Sequence, residues 1–292
     1  MTDAERQDRK PVAILEVCST AGELMQVHSH NLDLHVTAPG NLFNRYFTLP
    51  GLGKAPLGPK AQAAALAVAK KLESNRHSRK IAPLSLFVER EGFESVGMGT
   101  STADALASAM IYARLAGIEL SPTELGELLT GVERSDGLFH EGICLVEQSR
   151  GRLIRKWPTP RWKLLLLIPE RRIATADVRP YSTRIQDIND DIYRTTQGDF
   201  GEEDLLHCID RSALANATLR NYELYFAVKK LTSGFPVAAT GIAHTGSLVY
   251  LVFRETSAFE DCKARLCQTI YTAFPSMRLR VAEFTSRNWH WN

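Results

Sequence analysis

A run of glycines and hydroxyls that passes without a break into an alanine-rich helix is the feature that most constrains this chain. Val96-Gly97-Met98-Gly99-Thr100-Ser101-Thr102-Ala103 opens a stretch, Thr100 to Ala116, with alanine in every turn and Gly117 behind it as the C′ residue. Two glycines let a backbone approach a ligand closely. A helix start adds unpaired N–H groups and the positive end of the dipole, so a triphosphate is the natural ligand. A well-capped core helix after a flexible loop is the alternative reading. The run is not a Walker A loop, because G-x-x-x-x-G-K-[ST] is absent, and Gly51 to Lys60 fails that pattern too. The G-x-G-x-x-G spacing of dinucleotide sites is missing as well.

Strand and helix signals alternate irregularly around this segment. Val12 to Val17 reads as a buried strand, Cys18 to Glu23 as a turn, and Leu32 to Val36 and Asn44 to Thr48 as further strands. Residues 49–60 are a Pro/Gly loop, and Ala61 to Leu72 is a helix with Lys70 and Lys71 in its last turn. Leu84, Leu86 and Val88 keep strand period, and Glu91 to Gly99 is a loop. Ser121-Pro122-Thr123-Glu124 predicts a capping box with proline at N1, opening a helix that runs to about Val132. A second apolar pattern begins at Leu164 to Ile168, after a polar stretch, which places a boundary near 160 and gives domains 1–160 and 161–292. The second half reads as strand, helix around 202–232, strand Leu248 to Phe253, helix Ala258 to Phe274 and strand Arg278 to Phe284. This mixture predicts an α+β protein rather than a regular parallel α/β sheet.

Charge and composition remove several function classes. Thirty-five basic against 33 acidic residues leave a net charge of +2, without the basic stripe of a nucleic-acid binder. No apolar run approaches the roughly 18 residues a membrane helix needs, and the candidate Leu164 to Ile168 is strand-sized. The polar start MTDAERQDRK has no apolar h-region, so a cytoplasmic protein is expected. Cys18, Cys144, Cys208, Cys262 and Cys267 form no C-x-x-C pair and read as buried thiols of a reduced protein. His28, His30 and His35 lie close together, but no H-E-x-x-H or Cys/His ladder accompanies them, so no transition-metal site is expected there.

Gly97 to Ala103 resembles the second motif of the GHMP kinases, P-x-x-x-G-[LM]-[GSA]-S-S-[AGS], the family of galactokinase, homoserine kinase and mevalonate kinase. Phe93 stands where that motif has proline, and Thr100 replaces its first serine while keeping a hydroxyl. The wider match is to the L-threonine kinases of cobalamin biosynthesis. Ser101-Thr102-Ala103-Asp104 is similar to that branch's S-T-A-D, and Cys18 to Gln26 to its C-P-A-S-C-G-E-L-I-Q. Glu133-Arg134-Ser135-Asp136, ahead of Phe139, resembles its E-P-T-D-S-x-x-F. Thr175-Ala176-Asp177 and Ala243-His244-Thr245-Gly246-Ser247 resemble its T-A-D and A-H-S-G-S. These matches follow one another in order from about residue 12 to 253.

The resemblance implies an N-terminal domain like ribosomal protein S5 domain 2, a ferredoxin-like C-terminal domain, and a site in the cleft between them. It implies ATP at Val96, Gly97, Met98, Gly99, Thr100, Ser101 and Thr102, with Ser101 and Glu133 holding Mg2+ through the oxygen ligands that ion prefers. Asp136 is the candidate to accept or orient the proton of the acceptor hydroxyl, with a plain S-D-G turn as the alternative. Glu23 is a candidate for a substrate ammonium or a strand-turn cap. His244 and Thr245 belong to a loop that the family places near phosphates and substrate, and otherwise read as a hairpin turn. Asp104, one turn into the helix, reads as structural. Arg45, Arg172 and Arg184 are the cations that a substrate carboxylate would need, with nothing to choose among them. The implied reaction converts ATP and L-threonine to O-phospho-L-threonine and ADP, for the aminopropanol linker of cobalamin. Another small alcohol such as homoserine is the nearest rival, and a catalytically silent nucleotide or metabolite sensor is the rival from another class. No nucleic-acid or membrane partner is expected, and a homodimer is the assembly left open.

Overall fold

The computed structural model describes residues 13–29, 32–48, 58–74, 86–132, 134–170 and 186–292. In chain order the elements are β1 (Ala13–Ser29), β2 (Leu32–Thr48), α1 (Pro59–Ser74), β3 (Leu86–Glu89), α2 (Thr100–Leu115), α3 (Pro122–Thr130), a 3-10 turn (Gly137–Phe139), β4 (Ile143–Glu147) and β5 (Arg152–Trp157). There follow β6 (Lys163–Ile168), α4 (Gln186–Gln197), α5 (Glu202–Arg220), α6 (Glu223–Leu231), β7 (Ala239–Ile242), β8 (Val249–Phe253), α7 (Thr256–Ala273), β9 (Arg278–Glu283) and β10 (Trp289–Trp291).

Two antiparallel sheets organise the described residues. The first has the order β10-β1-β2-β4-β5, with β3 also paired to β2, and the second has the order β7-β8-β6-β9. Counted from β6, the second order is 2-3-1-4 with helices in the crossovers, the split β-α-β-β-α-β arrangement of ferredoxin-like domains. The connection from β5 to β6 spans the boundary expected near residue 160. The sheets are tied where Gly40 of β2 bridges Phe284 and the Thr285 N–H donates to Pro39 O at 3.0 Å.

Among the described residues three cores follow from strand alternation. Leu15, Val17 and Tyr46 pack with Ala103, Leu106, Ala109 and Leu125 between the first sheet and α1 to α3. Leu24, Val27, Leu34 and Val36 meet Leu164, Leu166 and Tyr250 between the two sheets. Leu165 and Leu167, the alternate residues of β6, face Phe253, Phe259 and Leu266 on the far side. The near-continuous apolar run of β6 thus marks a strand covered on both faces.

The turn expected at Cys18 to Glu23 is corrected: β1 continues through it. The pairing of β1 with β2 shifts register between Cys18 and Thr20, Thr20 and Glu23, and Glu23 and Met25. Gly22 takes the left-handed conformation at φ +99°, so the strand bulges and bends without ending. The two strands expected over 32–48 are one, because Pro39 falls opposite Thr20, where the ladder is already interrupted. The capping box of α3 is present: the Glu124 N–H donates to Ser121 Oγ at 3.3 Å and the Ser121 N–H to Glu124 Oε2 at 3.0 Å. That helix ends at Thr130, just before Gly131. All five cysteines are free, with Cys18, Cys144, Cys208 and Cys262 buried. Among the described residues no helix is long and apolar enough to cross a membrane.

Candidate active site

The glycine–hydroxyl run forms the head of α2. Gly99 is its N-cap at φ +62° and makes no side-chain cap, and the first intrahelical bond runs from the Ala103 N–H to Gly99 O at 2.9 Å. The N–H groups of the first turn therefore have no partner within the helix, which is the arrangement that receives an anion. Thr100 and Thr102 are buried and Ser101 is exposed. The hydroxyls gathered here are hard oxygen donors of the kind magnesium accepts. Glu133, the second expected metal ligand, lies outside the described residues.

The run is held between the two sheets. The Thr20 N–H of β1 donates to Met98 O at 2.9 Å, and the Ser247 and Leu248 N–H groups both donate to Val96 O, at 3.1 and 2.9 Å. The fit leaves no room for side chains: a Cβ on Gly97 would lie 2.2 Å from Ala243 Cβ, and one on Gly246 would lie 2.2 Å from Val96 C and O. Gly97 also sits at φ +90°, where only glycine is unstrained. The loop between β7 and β8 that supplies Ala243 to Leu248 is itself clamped by α5. The Arg220 guanidinium donates to Ala243 O, His244 O and Gly246 O at 3.0, 3.1 and 2.6 Å.

Two carboxylates meet beside this junction. Glu23 lies in the bulged part of β1, and its carboxylate accepts from the His244 N–H at 2.8 Å and the Thr245 hydroxyl at 3.1 Å. Burial first, and the neighbouring Asp136 carboxylate second, push Glu23 up to about 8. Asp136 precedes the 3-10 turn, where its N–H donates to Thr102 Oγ1 at 3.2 Å. Burial pushes Asp136 up to about 6, against the opposing pull of the Lys60 charge and of Thr102. Its Oδ2 faces Gly99, since a Cβ there would lie 2.8 Å from it. Glu23, His35 and Asp136 each place one donor atom within 4.8 Å of the other two.

Glu23, Asp136, His244, Thr245 and the head of α2 are thus brought together around one junction of strand, helix and loop. Asp104 stands apart in a structural role: Arg90 donates two hydrogen bonds to it at 2.9 and 2.8 Å, and Tyr46 a third at 2.7 Å. Arg45 pairs with Glu89 at 3.6 Å on the neighbouring strand, while Arg172, Arg184 and Thr175-Ala176-Asp177 lie outside the described residues. The three histidines grouped in the sequence part company: His28 pairs with Asp33 at 2.6 Å in an exposed position, His30 is outside the described residues, and His35 is buried beside Asp136. Thr20, Lys60 and Arg220 escape sequence reasoning, and His35 enters it only as one of three grouped histidines without a metal motif. Lys60 follows a proline in a loop-like stretch, and Arg220 is one cation among many at a helix end.

Residues 60–142 match the family model described as the GHMP kinases N terminal domain. No curated protein matches the sequence. Solved structures match along nearly the whole chain. A homoserine kinase from Cytophaga hutchinsonii has a TM-score of 0.67 at 13% identity, covering 98% of this chain and 98% of that one. The mevalonate kinase of Methanococcus jannaschii has a TM-score of 0.66 at 12% identity, covering 96% and 99%. A mevalonate pyrophosphate decarboxylase from Streptococcus pyogenes has a TM-score of 0.66 at 12% identity, covering 96% and 98%. Kinases and a decarboxylase share this architecture, so the fold by itself does not choose the reaction. Residues 60–142 match the GHMP kinase N-terminal domain, and the chain as a whole has the GHMP kinase fold.

Proposed function

We propose that the protein is an ATP-dependent kinase acting on the side-chain hydroxyl of a small amino acid, L-threonine in the first instance, to give O-phospho-L-threonine and ADP. The observation that carries this reading is the meeting of two carboxylates, the buried Glu23 and the partly buried Asp136, at the head of α2. An acceptor that satisfies both needs a cation and a hydroxyl, which describes a hydroxylated amino acid.

In this reading the first-turn N–H groups of α2 hold the phosphates. Bound Mg2+, on Ser101 and Glu133, would supply neutralising charge to the β- and γ-phosphates. Glu23 takes the substrate ammonium, with His244 and Thr245 fixing the carboxylate's orientation. The acceptor oxygen forms the new bond to the γ-phosphorus, the bridging bond to ADP breaks, and the hydroxyl proton passes to Asp136 Oδ2, which faces the helix head. Oriented positioning of this kind supplies most of what phosphoryl transfer asks of a protein. The multi-motif resemblance supports threonine and a role in making the cobalamin linker. Homoserine is the second reading, supported by the homoserine kinase among the structural matches. A silent sensor has no use for a proton acceptor at the phosphate helix.

The test is ADP release by purified protein with threonine, serine, homoserine and small amino alcohols. Threonine should give the highest kcat/KM, ahead of serine by about 10- to 200-fold, the value of one methyl group in a pocket. A preference for homoserine would overturn the threonine assignment, and no release with any amino alcohol would overturn the kinase.

A further inference from the structure

His35 is a buried imidazole with one ring nitrogen fully engaged and the other aimed at the site. It sits opposite Gln26 of β1 and Val146 of β4 in the ladder. Its Nδ1 pairs with Gln148 Nε2 at 3.1 Å. Its Nε2 has no hydrogen-bond partner among the described residues and stands 4.0 Å from Asp136 Oδ1. Asp136 therefore turns one oxygen, Oδ2, to the head of α2 and the other to His35.

Behind His35 runs a continuous chain of hydrogen bonds. Gln148 Nε2 donates to His35 Nδ1, and Gln26 Nε2 donates to Gln148 Oε1 at 3.4 Å. His244 Nδ1 pairs with Gln26 Oε1 at 3.2 Å, and Ser212 Oγ of α5 with His244 Nε2 at 3.3 Å. With the two amides so oriented, and the Ser212 hydroxyl donating to His244 Nε2 and not to Gln26 O at 3.4 Å, every proton in the chain points the same way and His35 carries its own on Nε2. Turning both amides would satisfy the interior groups equally well. It would also leave a lone pair of His35 facing Glu23 and Asp136, so the carboxylates select the first direction. Burial keeps both imidazoles neutral, holding His35 down to about 4 and His244 down to about 3.

We propose that His35 is a positioning residue for Asp136, its Nε2–H aimed by the Gln148–Gln26–His244 chain to grip Oδ1 and leave Oδ2 free for the acceptor hydroxyl. The gap of 4.0 Å closes when substrate draws Asp136 in, as catalytic hydrogen bonds tighten in the reacting complex. The same chain ends on His244, whose backbone N–H holds Glu23, so the two carboxylates are set by one network. The groups that bear on Asp136 electrostatically are Glu23 on β1, His35 on β2 and Lys60 at the start of α1, with His244 behind the chain.

The inference rests on the reading of Asp136 as the proton acceptor, but its first test needs no activity. Histidine 15N spectra of the ligand-free protein near pH 7.5, assigned with His35→Gln, should show His35 as the Nε2–H tautomer. Its Nε2 resonance should move in Asp136→Asn. An Nδ1–H tautomer, or a His35 signal identical in wild type and Asp136→Asn, overturns the proposal. The second test is the pH profile of kcat. His35→Leu should lower kcat roughly ten- to a hundredfold, the range for a hydrogen bond to a charged group. It should also move the acid limb to higher pH, because a carboxylate that loses a donor holds its proton longer. The KM for ATP should stay put, and His35→Gln, which keeps an N–H toward Asp136, should recover most of the loss. An unmoved acid limb in a folded His35→Leu protein overturns the proposal. Were the wild type inactive on every amino alcohol, the kinase reading would fall while the tautomer measurement still judged His35.

Discussion

At the residue scale the site is built from groups held away from their ordinary titration. Glu23 and Asp136 are raised, to about 8 and about 6, so the folded protein binds more protons than the unfolded chain above the ordinary carboxylate range. His35 and His244 are lowered, to about 4 and about 3, so the folded protein binds fewer protons than the unfolded chain below pH ~6.5. Stability falls with pH wherever the native state holds the extra proton, and rises where the unfolded state does. The histidine contribution is thus fully present above pH ~6.5 and is lost as pH drops toward their folded values. The Glu23 contribution runs the other way and falls from the ordinary carboxylate range up to about 8. Above pH ~6.5 only the carboxylate side remains, so ligand-free Tm should decline between pH 6.5 and 8. Asp136→Asn should raise Tm by a few degrees at pH 8 while abolishing turnover, the usual trade between a strained site and stability. Thermal melts of both proteins across that pH range check it, and a lower Tm in Asp136→Asn at pH 8 would mean that the carboxylate is stabilising. The carboxylates themselves are legible in the sequence. Their meeting is not, because it depends on a bulge in β1 meeting a turn more than a hundred residues later.

At the element scale the two halves meet glycine to glycine. Gly97 faces Ala243 and Gly246 faces the Val96 carbonyl, so the loop leading into α2 and the β7–β8 loop are packed backbone to backbone. A methyl group at Gly246 has only main-chain atoms to push against, and these do not swing aside as a side chain would. Gly246→Ala should cost roughly 1–3 kcal/mol, as overpacking does, and should displace the loop that holds Glu23. The KM for the amino acid should then rise more than the KM for ATP, since the first-turn N–H groups of α2 stay in place. Equal changes in both would place the phosphates, and not the substrate, against this loop. Gly198→Ala, with open space around its Cβ, is the control and should change neither. The helix α2, its glycine–hydroxyl head and the α3 capping box were all readable, because composition and capping are local. The continuity of β1 and β2 was not, since glycine and proline in a bulged strand carry the same local signal as in a turn.

At the scale of the whole molecule the chain returns to where it began. The last strand, β10, pairs with β1 at Leu15↔Trp291, Glu16↔His290 and Val17↔Trp289, so the first sheet takes its edge strand from the far end of the sequence. Asn288, just ahead of β10 and buried, fastens this closure. Its amide donates to His140 O at 2.6 Å and Leu138 O at 3.4 Å, and its Oδ1 accepts from the Gly142 N–H at 3.1 Å. Its backbone carbonyl accepts from the Cys18 N–H at 2.8 Å. One residue, through its side chain and its backbone carbonyl, thus binds the segment that follows Asp136 to the strand that carries Glu23. Asn288→Ala would orphan buried main-chain groups that cost about 1–3 kcal/mol each, so the variant should lose roughly 2–4 kcal/mol and lower kcat with it. The same reasoning governs a cut at residue 160. A fragment 1–160 keeps α1 to α3 and most of the first sheet but lacks both β10 and Asn288. It should therefore melt at a lower temperature, or less cooperatively, than the same fragment with residues 285–292 supplied as a peptide. The peptide with Asn288 replaced by alanine should give only part of that recovery. Indifference of the fragment to the wild-type peptide would show that the first sheet holds without its returning strand, and would move the source of its stability to the helical layer alone.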